Sequence, residues 1–251
     1  MTKNKRIKSL LKIKKKKSGR DSSGQISVRH QGGEHKRFLR KIDWKRNKIG
    51  IKAKVVAIEY DPNRTANIAL LSYADGSKSY ILASQKLKIN DYVVSSPDAD
   101  IKEGNCLPIS KIPAGVPFHC LEIQPGKGAQ FVKSAGSAAY IQSIDGQKAI
   151  IKLPSGELRL FNIDCKATIG QLSRADLANI KLKKAGDKRN RGIRPTVRGV
   201  VQHPDSHPHG GGEGKSSIGM HPKTPWGKPA LGKKTRKKKK YSNKLIIKRI
   251  N

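Results

Sequence analysis

The placement of charge limits this chain more than any other feature. Its 251 residues carry a formal net charge of +36. Residues 1–50 hold 18 basic and 3 acidic side chains, residues 51–185 hold 18 and 12, and residues 186–251 hold 18 and 3. Two strongly basic arms therefore flank a middle of nearly ordinary balance. A small soluble domain typically carries a net charge of about 2–8, so this chain needs an anionic partner. A polyphosphate backbone supplies one, because each Lys or Arg that displaces a condensed counterion adds salt-dependent affinity. A membrane is disfavoured: no apolar run approaches the roughly 18 residues of a spanning helix. Nor is there a long amphipathic helix with an aromatic face.

The middle reads as all-β. Apolar stretches at Val55–Tyr60, Ile68–Tyr73, Ser79–Leu82 and Tyr92–Val94 are separated by Asp61-Pro62-Asn63, by Asp75-Gly76 and by Pro97. Asp-Gly between two apolar runs is a strong hairpin signal, since both turn positions favour positive φ. Residues 104–117 are rich in Gly and Pro and read as a connector. The pattern then restarts with a strand at Phe118–Ile123, a hairpin of Ala139–Ile144 and Ala149–Leu153 around Asp145-Gly146, and a last run at Leu158–Ile163. Short strands with regular turn signals predict two small successive barrels, neither large enough to enclose a substrate pocket.

The arms cannot pack a core. Residues 1–50 contain the Lys14–Lys17 tract, residues 203–229 are rich in Gly, Pro and His, and residues 233–240 are almost all basic. Such segments are expected to order on a partner. This gives a division into a basic N-terminal arm (1–50), a first barrel with its connector (51–117), a second barrel (118–185) and a basic C-terminal extension (186–251).

Several constellations invite chemistry. His203, Asp205, His207, His209 and Glu213 are metal-ligand types, but H-x3-H-x-H matches no zinc pattern and the prolines keep it off a helix. Pro125-Gly126-Lys127-Gly128 resembles a phosphate cradle but lacks the P-loop spacing; it is expected to present Lys127 and Lys133 from an inter-strand loop. Ser206 beside His207 lacks a nucleophile elbow. Lys188–Gly199 alternates Arg with Gly and Pro, which suits phosphates and bases. Aromatics make up only 5% of the chain. That argues against single-strand stacking platforms and for recognition of RNA shape and phosphates. Trp226 reads equally as a local staple on prolines or as an RNA contact. Cys106, Cys120 and Cys165 follow no CxxC spacing and read as reduced, buried thiols.

Motifs in a fixed order carry a resemblance. These are Glu59-Tyr60-Asp61-Pro62-Asn63-Arg64-Thr65-Ala66-Asn67-Ile68-Ala69-Leu70, Ser134-Ala135-Gly136, Arg194-Pro195-Thr196-Val197-Arg198-Gly199, His207-Pro208-His209-Gly210-Gly211-Gly212-Glu213-Gly214, and His221-Pro222-Lys223-Thr224-Pro225-Trp226-Gly227. From about Ser18 to its end the chain resembles the universal large-subunit ribosomal protein two, of bacterial and organellar type. The resemblance implies an OB-fold, then an SH3-like barrel, with arms threaded into large-subunit rRNA. It implies support of subunit association, tRNA binding and peptide-bond formation, with RNA as the catalyst. His207 is the family residue associated with peptidyl transfer, carried over here as a supporting group. Where the family usually has Asp before that His, this chain has Ser206, with Asp205 one place earlier, which puts an Asp–His orienting role in question.

The expected rRNA-binding residues are Arg29, His30, His35, Lys36, Arg64, Lys127, Lys133, Arg189, Arg191, Arg194, Arg198, His207, His209, Gly210, Gly211, Gly212, Lys215, His221, Trp226, Lys228, Lys233, Lys234 and Arg236. No metal site and no cofactor are implied beyond Mg²⁺ carried by the RNA. Further expected partners are neighbouring ribosomal proteins, the small subunit at the intersubunit bridge and nearby tRNA. The Lys- and Ile-rich leader before Ser18 is read as an RNA-binding arm rather than a transit peptide, being poor in the Ser and Arg of such peptides. The Lys, Ile and Asn bias points to an organelle, in particular a mitochondrion, with the bacterial cytoplasm as the other location. The competing readings are a metal-dependent hydrolase using His203, His207, His209 and Glu213, and a chromatin-like DNA compactor.

Overall fold

A computed structural model describes residues 7–249. The chain forms two compact units. One comprises 7–14, Arg37–Lys181 and 242–249; the other comprises Lys15–Lys36 and Leu182–Tyr241.

The first unit is all-β and contains strands β1 (Leu11–Ile13), β2 (Phe38–Arg40), β3 (Ala53–Glu59), β4 (Ile68–Tyr73), β5 (Lys78–Leu82), β6 (Tyr92–Val93), β7 (Cys106–Pro108), β8 (Phe118–His119), β9 (Leu121–Glu122), β10 (Ala129–Phe131), β11 (Tyr140–Asp145), β12 (Lys148–Lys152), β13 (Leu158–Asn162), β14 (Lys166–Ile169) and β15 (Ile246–Lys248). Two four-stranded antiparallel sheets, β5-β4-β3-β6 and β11-β12-β13-β15, dominate. A three-stranded sheet β7-β14-β8 and the pairs β1-β2 and β10-β9 complete the unit.

Strand period 2 explains the layering of the first sheet. Val55, Ala69, Leu71, Ile81 and Val93 point into one core. The alternate residues Ile68, Leu70, Tyr80 and Leu82 pack with Leu172, Trp44 and Ala135, which the chain supplies from elsewhere. A bulge between Val55 and Ala57 moves β3 from the first face to the second. The strand β4 is thus buried on both faces, and the loop that precedes it is drawn against the second barrel. Fully burying an Ile or Leu such as Ile68 or Leu71 stabilises by about 1.5–3 kcal/mol. The second core gathers Leu107, Ile109, Ile112, Phe118, Leu121, Ile141, Ile151, Phe161 and Ile169.

Several local features differ from expectation. The connector at 104–117 supplies β7 and the buried Ile109 and Ile112 to the second core. Phe118–Ile123 is not one strand: Cys120 sits at φ +52 and donates its N–H to the Val132 carbonyl, dividing β8 from β9. At Asp75-Gly76 only Gly76 has positive φ. The Asp75 carboxylate accepts from the Ser77 amide and hydroxyl, so the connection is a longer Asx-supported loop. Residues 37–50, read above within the N-terminal arm, join the first sheet: Ile42 bridges Tyr80, Ile49 bridges Ser95, and the buried Arg46 donates to the Gly104 carbonyl. Residues 246–248, read within the C-terminal extension, pair with β13.

In the second unit no apolar side chain is buried among the described residues. A short helix, α1 (Ala185–Asn190), and backbone hydrogen bonds hold it together: Gly32 N–H to Gly192 O at 2.9 Å, His35 N–H to Asn190 O at 3.1 Å, and Arg194 N–H to His30 O at 3.0 Å. Among the described residues no helix is long and apolar enough to cross a membrane.

Candidate nucleic-acid interface

In the first unit, three loops from both barrels are tied into one junction. The Ala135 N–H donates to Thr65 Oγ1 at 3.0 Å, the Asn67 N–H to Ser173 Oγ at 3.1 Å, and the Gly136 N–H to Ser173 O at 3.1 Å. The Gln171 side-chain amide closes the set on the Gly136 carbonyl at 2.8 Å. Gly136 is required here: its φ is +67, and a Cβ would lie 2.7 Å from Ala175 Cα.

This junction holds a basic cluster in place. Asp61 is fully buried and accepts from the amide and side chain of Asn63, which shapes the turn. It also forms ion pairs with Arg64 Nε at 3.3 Å and Arg40 Nη1 at 3.7 Å. The Arg64 guanidinium and the Lys133 ammonium each lie 4.9 Å from the Trp44 ring centroid. Trp44 thus aligns the two expected RNA-binding cations Arg64 and Lys133 through cation–π contact. Sequence reasoning missed Trp44, which stands alone between Asp43 and Lys45 and belongs to no motif.

The Gly126-Lys127-Gly128 loop has a different logic from a phosphate cradle. Glu122, only 1% exposed, accepts from the amides of Gly126 (3.2 Å), Gly128 (2.8 Å) and Lys166 (3.0 Å). The loop's inward amides are therefore satisfied by the chain's own carboxylate. Lys127 is left exposed at the tip, as the sequence predicts.

The second unit carries most of the expected contacts on its surface. Arg29, His30, His35, Lys36, Arg191, Arg194, Arg198, Gly211, Gly212, Lys215, His221, Lys228, Lys233, Lys234 and Arg236 are exposed, while Arg189 and Gly210 are half-buried. Trp226 is 71% exposed at the tip of a turn closed by Thr224 and Lys228, with the Arg29 guanidinium 5.0 Å from its ring centroid. It is too open for a staple packed on prolines.

His207 is only 8% exposed, and its role is set by its neighbours. Its Nδ1 accepts the His209 N–H at 3.1 Å, and His209 Nε2 accepts the Lys223 N–H at 2.8 Å. Both rings therefore use a lone pair on the backbone, which requires at least one unprotonated nitrogen in each. Desolvation, His209 and Arg29 hold the His207 pKa below the ordinary value. Asp205 Oδ2 lies 3.1 Å from His203 Nδ1, so this carboxylate sits beside His203. Among the described residues no group of three or more His, Cys, Asp or Glu side chains is arranged to hold a metal. The three cysteines are free. Burial pushes Cys120 up to about 12 and Cys165 up to about 11, which keeps both thiols protonated and inert.

Two family models match the chain. The Ribosomal Proteins L2, RNA binding N-terminal domain matches residues 7–95, and the Ribosomal Proteins L2, C-terminal domain matches residues 102–227. The two matches agree with the order of the motifs, and the first contains the Asp61–Asn67 loop and the second the glycine-rich histidine segment. The chain belongs to the ribosomal protein L2 family and is accordingly a ribosomal component that binds large-subunit RNA, with a structural rather than an enzymatic role.

Proposed function

We propose that this protein acts near the peptidyl-transferase centre, where it supports subunit association, tRNA binding and peptide-bond formation carried out by rRNA. In this reading the β3–β6 barrel is an OB-fold and the β11–β13 barrel is SH3-like. The basic N- and C-terminal segments thread into the RNA through the Lys, Arg and His residues named above, and neighbouring ribosomal proteins and an intersubunit bridge complete the surroundings. The Lys, Ile and Asn bias favours a mitochondrial ribosome.

The single observation that supports this most is the second unit itself. Its surface is basic, among the described residues it buries no apolar side chain, and its backbone is mostly turns and loops. Such a segment gains little by folding alone and much by neutralising phosphates. His207 contributes by shaping the His-Gly-Gly-Gly turn rather than by moving a proton: its Nδ1 is engaged by a backbone amide. Large subunits assembled with His207→Ala test the reading. They are expected to contain the variant protein yet to lose subunit association and peptidyl transfer together, several-fold. Unchanged rates with the variant incorporated would remove the supporting role.

A further inference from the structure

Two side chains at the loop junction serve no core. Tyr60 directly follows β3 and is 57% exposed, and it belongs to none of the apolar clusters. Arg174 approaches it, its guanidinium carbon 5.4 Å from the ring centroid. Arg174 adopts φ +60, a left-handed conformation that non-glycine residues seldom take and that concentrates at functional sites. The preceding residue, Ser173, fixes this geometry by accepting the amides of Asn67 and Gly136. No carboxylate pairs with Arg174 among the described residues, so its charge is not spent on the fold.

We propose that Tyr60 and Arg174 form a stacking platform for one unpaired nucleotide of large-subunit rRNA. The inference rests on the chain's being an RNA-binding ribosomal protein. A guanidinium held over a tyrosine ring offers two adjoining π-faces, one of them cationic, against which a base can stack. Unpaired, splayed bases are what proteins read most readily in folded RNA. Lys133, on a loop that meets the same junction, neutralises a flanking phosphate. The low aromatic content therefore conceals a local platform built from one Tyr and one Arg.

Stacking and simple charge neutralisation make different predictions. The test is binding of the full chain to large-subunit rRNA over a salt series, with Tyr60→Phe, Tyr60→Leu, Arg174→Lys and Arg174→Ala, and thermal unfolding of each as a folding control. The platform predicts that Tyr60→Leu and Arg174→Lys each weaken binding about tenfold. It also predicts an unchanged dependence on log salt for both, because the charge is kept, and wild-type binding for Tyr60→Phe. Chemical probing of the bound RNA should show one unpaired nucleotide becoming reactive in the weakened variants. The proposal is overturned if Arg174→Lys binds like the wild type while Arg174→Ala lowers the salt slope by about one, the mark of a phosphate contact. Wild-type binding and probing for Tyr60→Leu would overturn it as well. If the unsubstituted chain fails to prefer this RNA over an unrelated duplex, the underlying rRNA reading fails, and the platform with it.

Discussion

Two buried polar side chains show how single residues hold the RNA-facing loops. His119 is fully buried, with Nδ1 2.7 Å from the Gly170 carbonyl. Desolvation lowers its pKa to about 4. Folded His119 thus stays neutral where the unfolded side chain takes up a proton. Its contribution is fully present above the ordinary histidine pKa of about 6.5 and is lost as the pH falls through about 4. Between those limits the unfolding free energy should fall by up to about 3 kcal/mol. Denaturant titrations should show His119→Gln flattening that dependence. Glu122→Gln turns one of its two accepting oxygens into an NH2 that faces a backbone amide, and it is expected to cost about 2 kcal/mol in the same titrations. Neither role was legible in the sequence. A lone His and a lone Glu carry no spacing signal, and their partners lie 51 and up to 44 residues away. The surface placement of most basic residues, by contrast, was legible from charge, although Arg46 and Arg159 are buried.

At the scale of elements, the hairpins and most strands could be read from apolar runs and turn residues. The exceptions have tertiary causes. The break at Cys120 needs a left-handed residue that only the Val132 carbonyl and the surrounding core stabilise. The strand β15 lies in a Lys-rich stretch whose pairing on β13 no local pattern announces. Truncation after Leu245 is expected to strip β13 of this edge partner. Hydrogen exchange should then show reduced protection at Leu158–Leu160, with protection in β3–β5 unchanged. The junction of loops makes a second test. Gly136→Ala forces a Cβ against Ala175 Cα in a positive-φ backbone. It is expected to destabilise by about 1–3 kcal/mol, read by thermal unfolding. It should also weaken rRNA binding, because Lys133 and Arg174 flank the displaced loops.

For the whole molecule, charge and core are segregated. Among the described residues the buried apolar side chains belong to the barrel unit, and the second unit holds 23 basic against 5 acidic side chains. The sequence made this division visible through its acid-poor ends, although it drew the boundaries by composition rather than by packing. Residues 37–50 were placed with the arm because they are basic, yet Arg46 spends its guanidinium on the Gly104 carbonyl inside the fold. The segregation predicts unequal protease sensitivity. In free protein, limited trypsin should cut first within 203–240 and leave the barrels intact, and bound rRNA should protect those sites. The most direct measurement of the central claim is sedimentation of a gentle native lysate through a sucrose gradient, with this chain located by mass spectrometry and the RNA in its fractions identified. The account predicts migration with large subunits that persists in moderately raised salt and disappears after RNase treatment. Recovery at the top of the gradient, free of RNA before any nuclease, would contradict it.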